Sequence, residues 1–250
     1  MSDRAGSSWW VKATAMAIGL IAAVALFVSR EYEVVGHSGF PLDDSWIHMQ
    51  MARNLSLGPG MYFNAGEPGS ASSAPLWTLL LAGLHLLPWE TILSAKVSGV
   101  MLLWGNGLET VSLGRSLGLP ATWAGAAGIA LTMSPRLVWG GLSGMEIPLY
   151  TLLATAGVWL HTRSFSGRPA LLSTALFACA SLARPDCLVL FPLALLDRWR
   201  RTSLRVMWGV NTACTCCCSS AFWHLPLPST WAPSAGCCPI PIMPRSVILA

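Results

Sequence analysis

Residues 9 to 29 read WWVKATAMAIGLIAAVALFVS, an apolar run whose one charged residue is Lys12. A helix rising about 1.5 Å per residue would carry this run across a bilayer core of about 30 Å. Phe27-Val28-Ser29-Arg30-Glu31 is a poor match to a signal-peptide cleavage site, so the run reads as an uncleaved anchor. Arg4 and Lys12, set against the balanced Arg30, Glu31 and Glu33 beyond the run, put the N-terminus in the cytoplasm by the positive-inside rule.

The rest of the chain has the same character. Its 250 residues are 54% hydrophobic and 10% charged, with a mean hydropathy of +0.56. Soluble domains carry about 25% charged residues, so an ordinary cytosolic enzyme is excluded. Disorder is excluded too, because disordered chains are poor in apolar residues and rich in charge. The expected fold is all-α, a polytopic transmembrane helical bundle with the lipid bilayer as its first partner. A net charge of +4 from 15 basic residues leaves no footprint for nucleic acid, and the arginines read as topology markers. The 13 tryptophans mostly flank apolar segments, as interface anchors do.

Residues 30 to 74 form a polar first loop, expected outside the membrane. Within it, Asp43 to Leu57 is expected to form a short interfacial helix. Ile47, Met51 and Leu55 would give it an apolar stripe for the membrane surface, and Gly58-Pro59-Gly60 would end it. Further apolar segments lie near Pro75 to Leu87, Ile92 to Leu113, Ala121 to Met133, Ile147 to Leu160, Pro169 to Ala183 and Cys187 to Leu196. Keeping Arg115, Arg163, Arg168 and the arginines from Arg198 onward in the cytoplasm requires Pro75 to Leu87 to dip in or lie flat. The Met133 to Glu146 turn and Arg184-Pro185-Asp186 then share the outer side with Asp43 and Asp44. No internal repeat is visible, which removes support for a transporter built from duplicated halves.

Candidate chemistry starts with Asp43-Asp44, an adjacent pair in a chain of only eleven carboxylates. Side chains of neighbouring helical residues point about 100° apart, so at most one faces a given reaction centre. Either could deprotonate a hydroxyl or hold a divalent cation, or the pair could simply cap a helix. Glu146 lies in an apolar setting at the outer end of a predicted span, where it could orient an acceptor or a metal, or merely open a helix. Arg136 and Arg184 break the positive-inside trend. They suit a lipid phosphate, or snorkel to headgroups, and Arg53 is a weaker case of the same kind. His48 comes four residues after Asp44 on one helical face. Two ligands do not make a metal site, so a structural hydrogen bond is the favoured role.

The order Leu42-Asp43-Asp44-Ser45-Trp46-Ile47, Ala52-Arg53-Asn54-Leu55, Gly58-Pro59-Gly60-Met61-Tyr62-Phe63-Asn64, Gly66-Glu67-Pro68 and Ser73-Ala74-Pro75-Leu76-Trp77 resembles the first outer loop of the GT-C superfamily of membrane glycosyltransferases. The bacterial branch similar to arabinofuranosyltransferases is the nearest in pattern. Ser134-Pro135-Arg136-Leu137-Val138-Trp139, Ser143-Gly144-Met145-Glu146-Ile147-Pro148-Leu149 and Leu182-Ala183-Arg184-Pro185-Asp186 fit the same family. The likeness covers residues 10 to 205 or so. It implies a polyprenyl-phosphate sugar donor, a glycan, lipid or protein acceptor in the cell envelope, and an outward-facing site on a bacterial cytoplasmic membrane. It carries the catalytic acidic pair onto Asp43 and Asp44, with Asp43 preferred as base. It implies no definite cofactor and leaves a divalent cation open. The rival reading is a non-catalytic membrane protein, a carrier of lipid-linked intermediates or an assembly subunit, in which the acidic pair is structural.

Residues 206 to 250 fit neither reading. Six of the eight cysteines fall there (Cys214, Cys216, Cys217, Cys218, Cys237 and Cys238), and no Asp or Glu occurs after Asp197. Cysteine codons are TGT or TGC, so read one base earlier every Cys-Cys step becomes TTG or CTG, which is leucine. The same shift lets Pro239 to Arg245 read Pro-Asn-Thr-Tyr-Tyr-Ala-Lys, similar to a motif further along the family's chain. The tail is therefore expected to be a disordered, shifted-frame translation ending a truncated enzyme.

Overall fold

The computed structural model describes residues 2–58, 60–64, 72–163 and 168–200. The tail from residue 206, with its expected frame shift and disorder, and Gly66-Glu67-Pro68 lie outside the described residues. Contacts divide the chain after Arg198 into two units, and every helix named below belongs to the first, Met1–Arg198.

Among the described residues every regular element is helical. The elements are α1 (Ser2–Val35), α2 (Asp43–Leu57), α3 (Pro75–His85), α4 (Thr91–Ser116), α5 (Ala121–Thr132), α6 (Pro135–Leu142), α7 (Ile147–Arg163) and α8 (Arg168–Ala183). A 3-10 turn over Pro185–Val189 leads into helix from residue 190. Of the described helices, one is long and apolar enough to cross a membrane, over Val11–Val35 in α1. Pro75–His85 and Leu171–Ala183 are shorter apolar helices.

Helix α1 continues past the expected end of the apolar run. Glu31 accepts two bonds from Lys96 Nζ at 2.7 Å and one from the Gly39 amide at 2.7 Å, so its charge is matched while it stays helical. The loop therefore begins at Gly36, whose φ is +79°.

The stretch read as an outer turn, Met133 to Glu146, contains a helix instead. Met133 and Ser134 interrupt the chain, and Pro135 then starts α6, because a missing N–H costs nothing in a first turn. Small residues bring α5 and α6 against α4 in antiparallel order: Gly114 meets Ala124, Gly107 meets Thr132 and Gly128, and Gly99 meets Gly141. A methyl group on Gly99 would collide with the Gly141 carbonyl. Gly99→Ala should therefore lose about 1–3 kcal/mol, whereas Gly83→Ala, with open space around it, should be neutral or slightly stabilising. Thermal unfolding in detergent checks the pair, and equal melting temperatures would refute the close approach.

These contacts sort the first unit into two ends. At one lie Glu31 and Lys96, the α6–α7 turn, and Arg184 after α8. At the other, Lys12 packs on Gly125, Arg115 lies in the last turn of α4, and Arg163 in that of α7. Asp197 bonds His161 there at 2.9 Å.

Candidate functional site

Helix α2 has the expected boundaries, and Gly58 closes it with a φ of +108° that a side chain would strain. Its packing differs from expectation. Ser45, His48, Met49, Met51, Ala52 and Asn54 are buried while Ile47 and Trp46 are exposed. The polar side of α2 faces inward because partners await it. Ser45 Oγ donates to Ser143 O at 2.6 Å, and Asn54 Nδ2 donates to the carbonyls of Tyr62 and Phe63 at 2.8 and 3.0 Å. Met51 is buried with them, so the Ile47, Met51, Leu55 stripe is not a membrane-facing surface.

Leu42, not an aspartate, occupies the N-cap of α2, and no side chain caps the helix. Asp43 and Asp44 fill the first turn, where the helix dipole favours negative charge. Both are exposed, and they face different cavities. Asp43 lines one of about 540 Å³ with Gln50 and Asn64. Asp44 lines one of about 370 Å³ with His48, Ser72 and Ser73. Ile47 and Phe63 border both.

Behind Asp44, the turn between α6 and α7 delivers Glu146. Gly144 makes this turn with a φ of +78°, and the ring of Phe40 leaves no room there for a side chain. Trp77 Nε1 donates to Gly144 O at 2.9 Å and pins the turn to α3. The amides of Leu149 and Tyr150 bond to Glu146 O, so Glu146 opens α7 as a helix-start residue would. Its side chain is only 7% exposed, and Arg184 Nη1 donates to Oε1 at 3.1 Å. Oε2 has no hydrogen-bond partner and faces His48 Nε2 at 3.9 Å, beyond hydrogen-bond reach.

Arg184 is committed to carboxylates. Nε donates to Asp186 at 2.9 Å, Nη1 holds Glu146, and the guanidinium lies 5.2 Å from the centre of the Tyr150 ring. Two of its guanidinium nitrogens are thus taken up by carboxylates. Arg53 and Arg136 are exposed and outside this cluster. Arg136 opens α6, whose far end meets Gly99, so it lies part-way along the bundle and not in the turn that carries Glu146.

Burial pushes the His48 imidazole below its ordinary pKa of 6.5, and Glu146 and then Asp44 oppose the shift. Ser72 and Thr78 belong to this buried cluster and were not among the candidates named from the sequence. Ser72 directly precedes the Ser73-Ala74-Pro75-Leu76-Trp77 run, which was the available signal. Among the described residues no group of three or more His, Cys, Asp or Glu gathers as a metal site would require. Family models, curated proteins and solved structures give no match to this chain.

Proposed function

We propose that the chain is the N-terminal part of a polytopic, inverting membrane glycosyltransferase. It moves a sugar from a polyprenyl-phosphate donor to a cell-envelope acceptor on the outer face of a bacterial cytoplasmic membrane. The observation that carries this reading is that Asp44 and His48 line an open cavity while Glu146, paired with Arg184 from far along the sequence, lies buried behind His48. An inverting transfer needs one base for the acceptor hydroxyl, because the lipid phosphate departs already charged. Asp44 takes that role in preference to Asp43, since the buried polar cluster lies on its side. Glu146, held by Arg184, supplies fixed negative charge behind it. Arg53, exposed on α2, stays open to the donor phosphate.

Membranes containing the full-length enzyme, given a panel of radiolabelled polyprenyl-phosphate sugars, test the activity directly. Absence of transfer from every donor, with the protein inserted, would refute it. Orientation gives a second test. Single cysteines at positions 37 and 163, in a background without native cysteines, should be labelled from opposite sides of sealed vesicles, with 37 outside. Labelling of both from one side would refute the arrangement.

A further inference from the structure

The mechanism leaves His48 without a task, yet it is 2% exposed and joins three separate segments. Ser72 Oγ accepts from the Ala74 amide at 3.1 Å and from the Thr78 hydroxyl at 2.8 Å. With Thr78 donating to Ser72 rather than to Ala74 O at 3.2 Å, both lone pairs of Ser72 are used and its proton goes to His48 Nδ1, 2.9 Å away. This arrangement sets an N–H rather than a lone pair of Nε2 opposite the Glu146 carboxylate. A neutral imidazole that accepts at Nδ1 carries its proton on Nε2. That nitrogen faces Oε2 of Glu146, the oxygen without a partner. A nucleophilic role for Ser72 does not arise, because its oxygen is buried and saturated.

We propose that His48 is a positioning residue: hydrogen-bonded to Ser72 on one nitrogen and set 3.9 Å from the Glu146 carboxylate on the other, it holds α2, and with it Asp44, beside the turn that opens α7. This rests on the reading of Asp44 as base. The ionisable groups facing His48 are Asp44 from its own helix and Glu146 from the α6–α7 turn. From the α3 side it meets the hydroxyls of Ser72 and Thr78, and Arg184 reaches it only through Glu146. Protonation would put an N–H at Nδ1, so the Ser72 proton would have to turn away and the hydroxyls of Ser72 and Thr78 would have to reorient, Thr78 toward Ala74 O. Burial sets the folded pKa below the unfolded one, so the arrangement is fully present above the ordinary 6.5 and is lost as pH falls through the lowered value.

Two measurements test this on the whole chain. Spectra of ¹⁵N-histidine-labelled protein in detergent, with the signal assigned by its loss in His48→Asn, should show the Nε2–H tautomer titrating below 6.5. An Nδ1–H tautomer, or titration above the ordinary value, would overturn the proposal. In the transfer assay, His48→Ala should lower kcat by roughly tenfold to a hundredfold with little change in KM, as misplacement of a base does. His48→Asn places an amide oxygen where Nδ1 stands, so it should restore part of kcat and remove the acid limb that His48 contributes. Wild-type kcat and pH profile in His48→Ala, alongside an inactive Asp44→Asn, would also overturn it. If the wild type transfers no sugar, the proposed activity falls, and the spectra still decide the role of His48.

Discussion

Asp44→Asn is expected to lower sugar transfer by about 10²- to 10⁴-fold in membranes supplied with a polyprenyl-phosphate sugar, while Asp43→Asn keeps a readily measured rate. Asparagine preserves the size of the side chain and its place in the first turn of α2 but cannot take a proton. Neither aspartate caps the helix, so neither substitution removes a capping bond. The difference between them comes from direction. Successive helical residues diverge by about 100°, and here that turns Asp43 toward Gln50 and Asn64 but Asp44 toward His48 and Ser72. Only the second direction meets the buried polar cluster of His48 and Ser72. Insertion should be unchanged in both variants. Wild-type rates in both would remove the catalytic assignment, and loss confined to Asp43→Asn would move it to the other cavity.

The sequence made some of this legible and hid the rest for identifiable reasons. The limits of α2 were readable because an acidic pair opens it and Gly58-Pro59-Gly60 closes it, both strong local signals. Its buried face was not. Ile47, Met51 and Leu55 suggested a surface stripe, whereas partners from elsewhere in the chain drew Ser45, His48 and Asn54 inward. Helix α6 escaped notice because Pro135, Gly140 and Gly141 read as turn residues. In the fold Pro135 starts the helix, and Gly141 permits its approach to Gly99. Asp43, Asp44 and Glu146 were nominated one by one, but nothing local ties His48 to Glu146 or Arg184 to either. Those relations depend on how α2, α7 and α8 end near one another, and helix periodicity says nothing about that.

The tie between Arg184 and Glu146 should register as a coupling energy between the two positions. Arg184→Gln leaves a carboxylate that is almost wholly buried without its one hydrogen-bond donor, and an unpaired buried charge is costly. The side chain of Arg184 is 36% exposed, so water can replace part of what it supplies. The expected loss is accordingly about 1–3 kcal/mol rather than that of a fully buried pair. Glu146→Gln should be milder, because a neutral amide is cheaper to bury and can still accept a hydrogen bond from Arg184. Combining the two removes the charge that Arg184→Gln strands, so the double variant should be more stable than the sum of the single losses by about 0.5–3 kcal/mol. Chemical unfolding of all four proteins in detergent supplies the cycle. Simple additivity would mean that Glu146 does not depend on Arg184. It would also return the guanidinium to the role the sequence first suggested for it, a free partner for the donor phosphate.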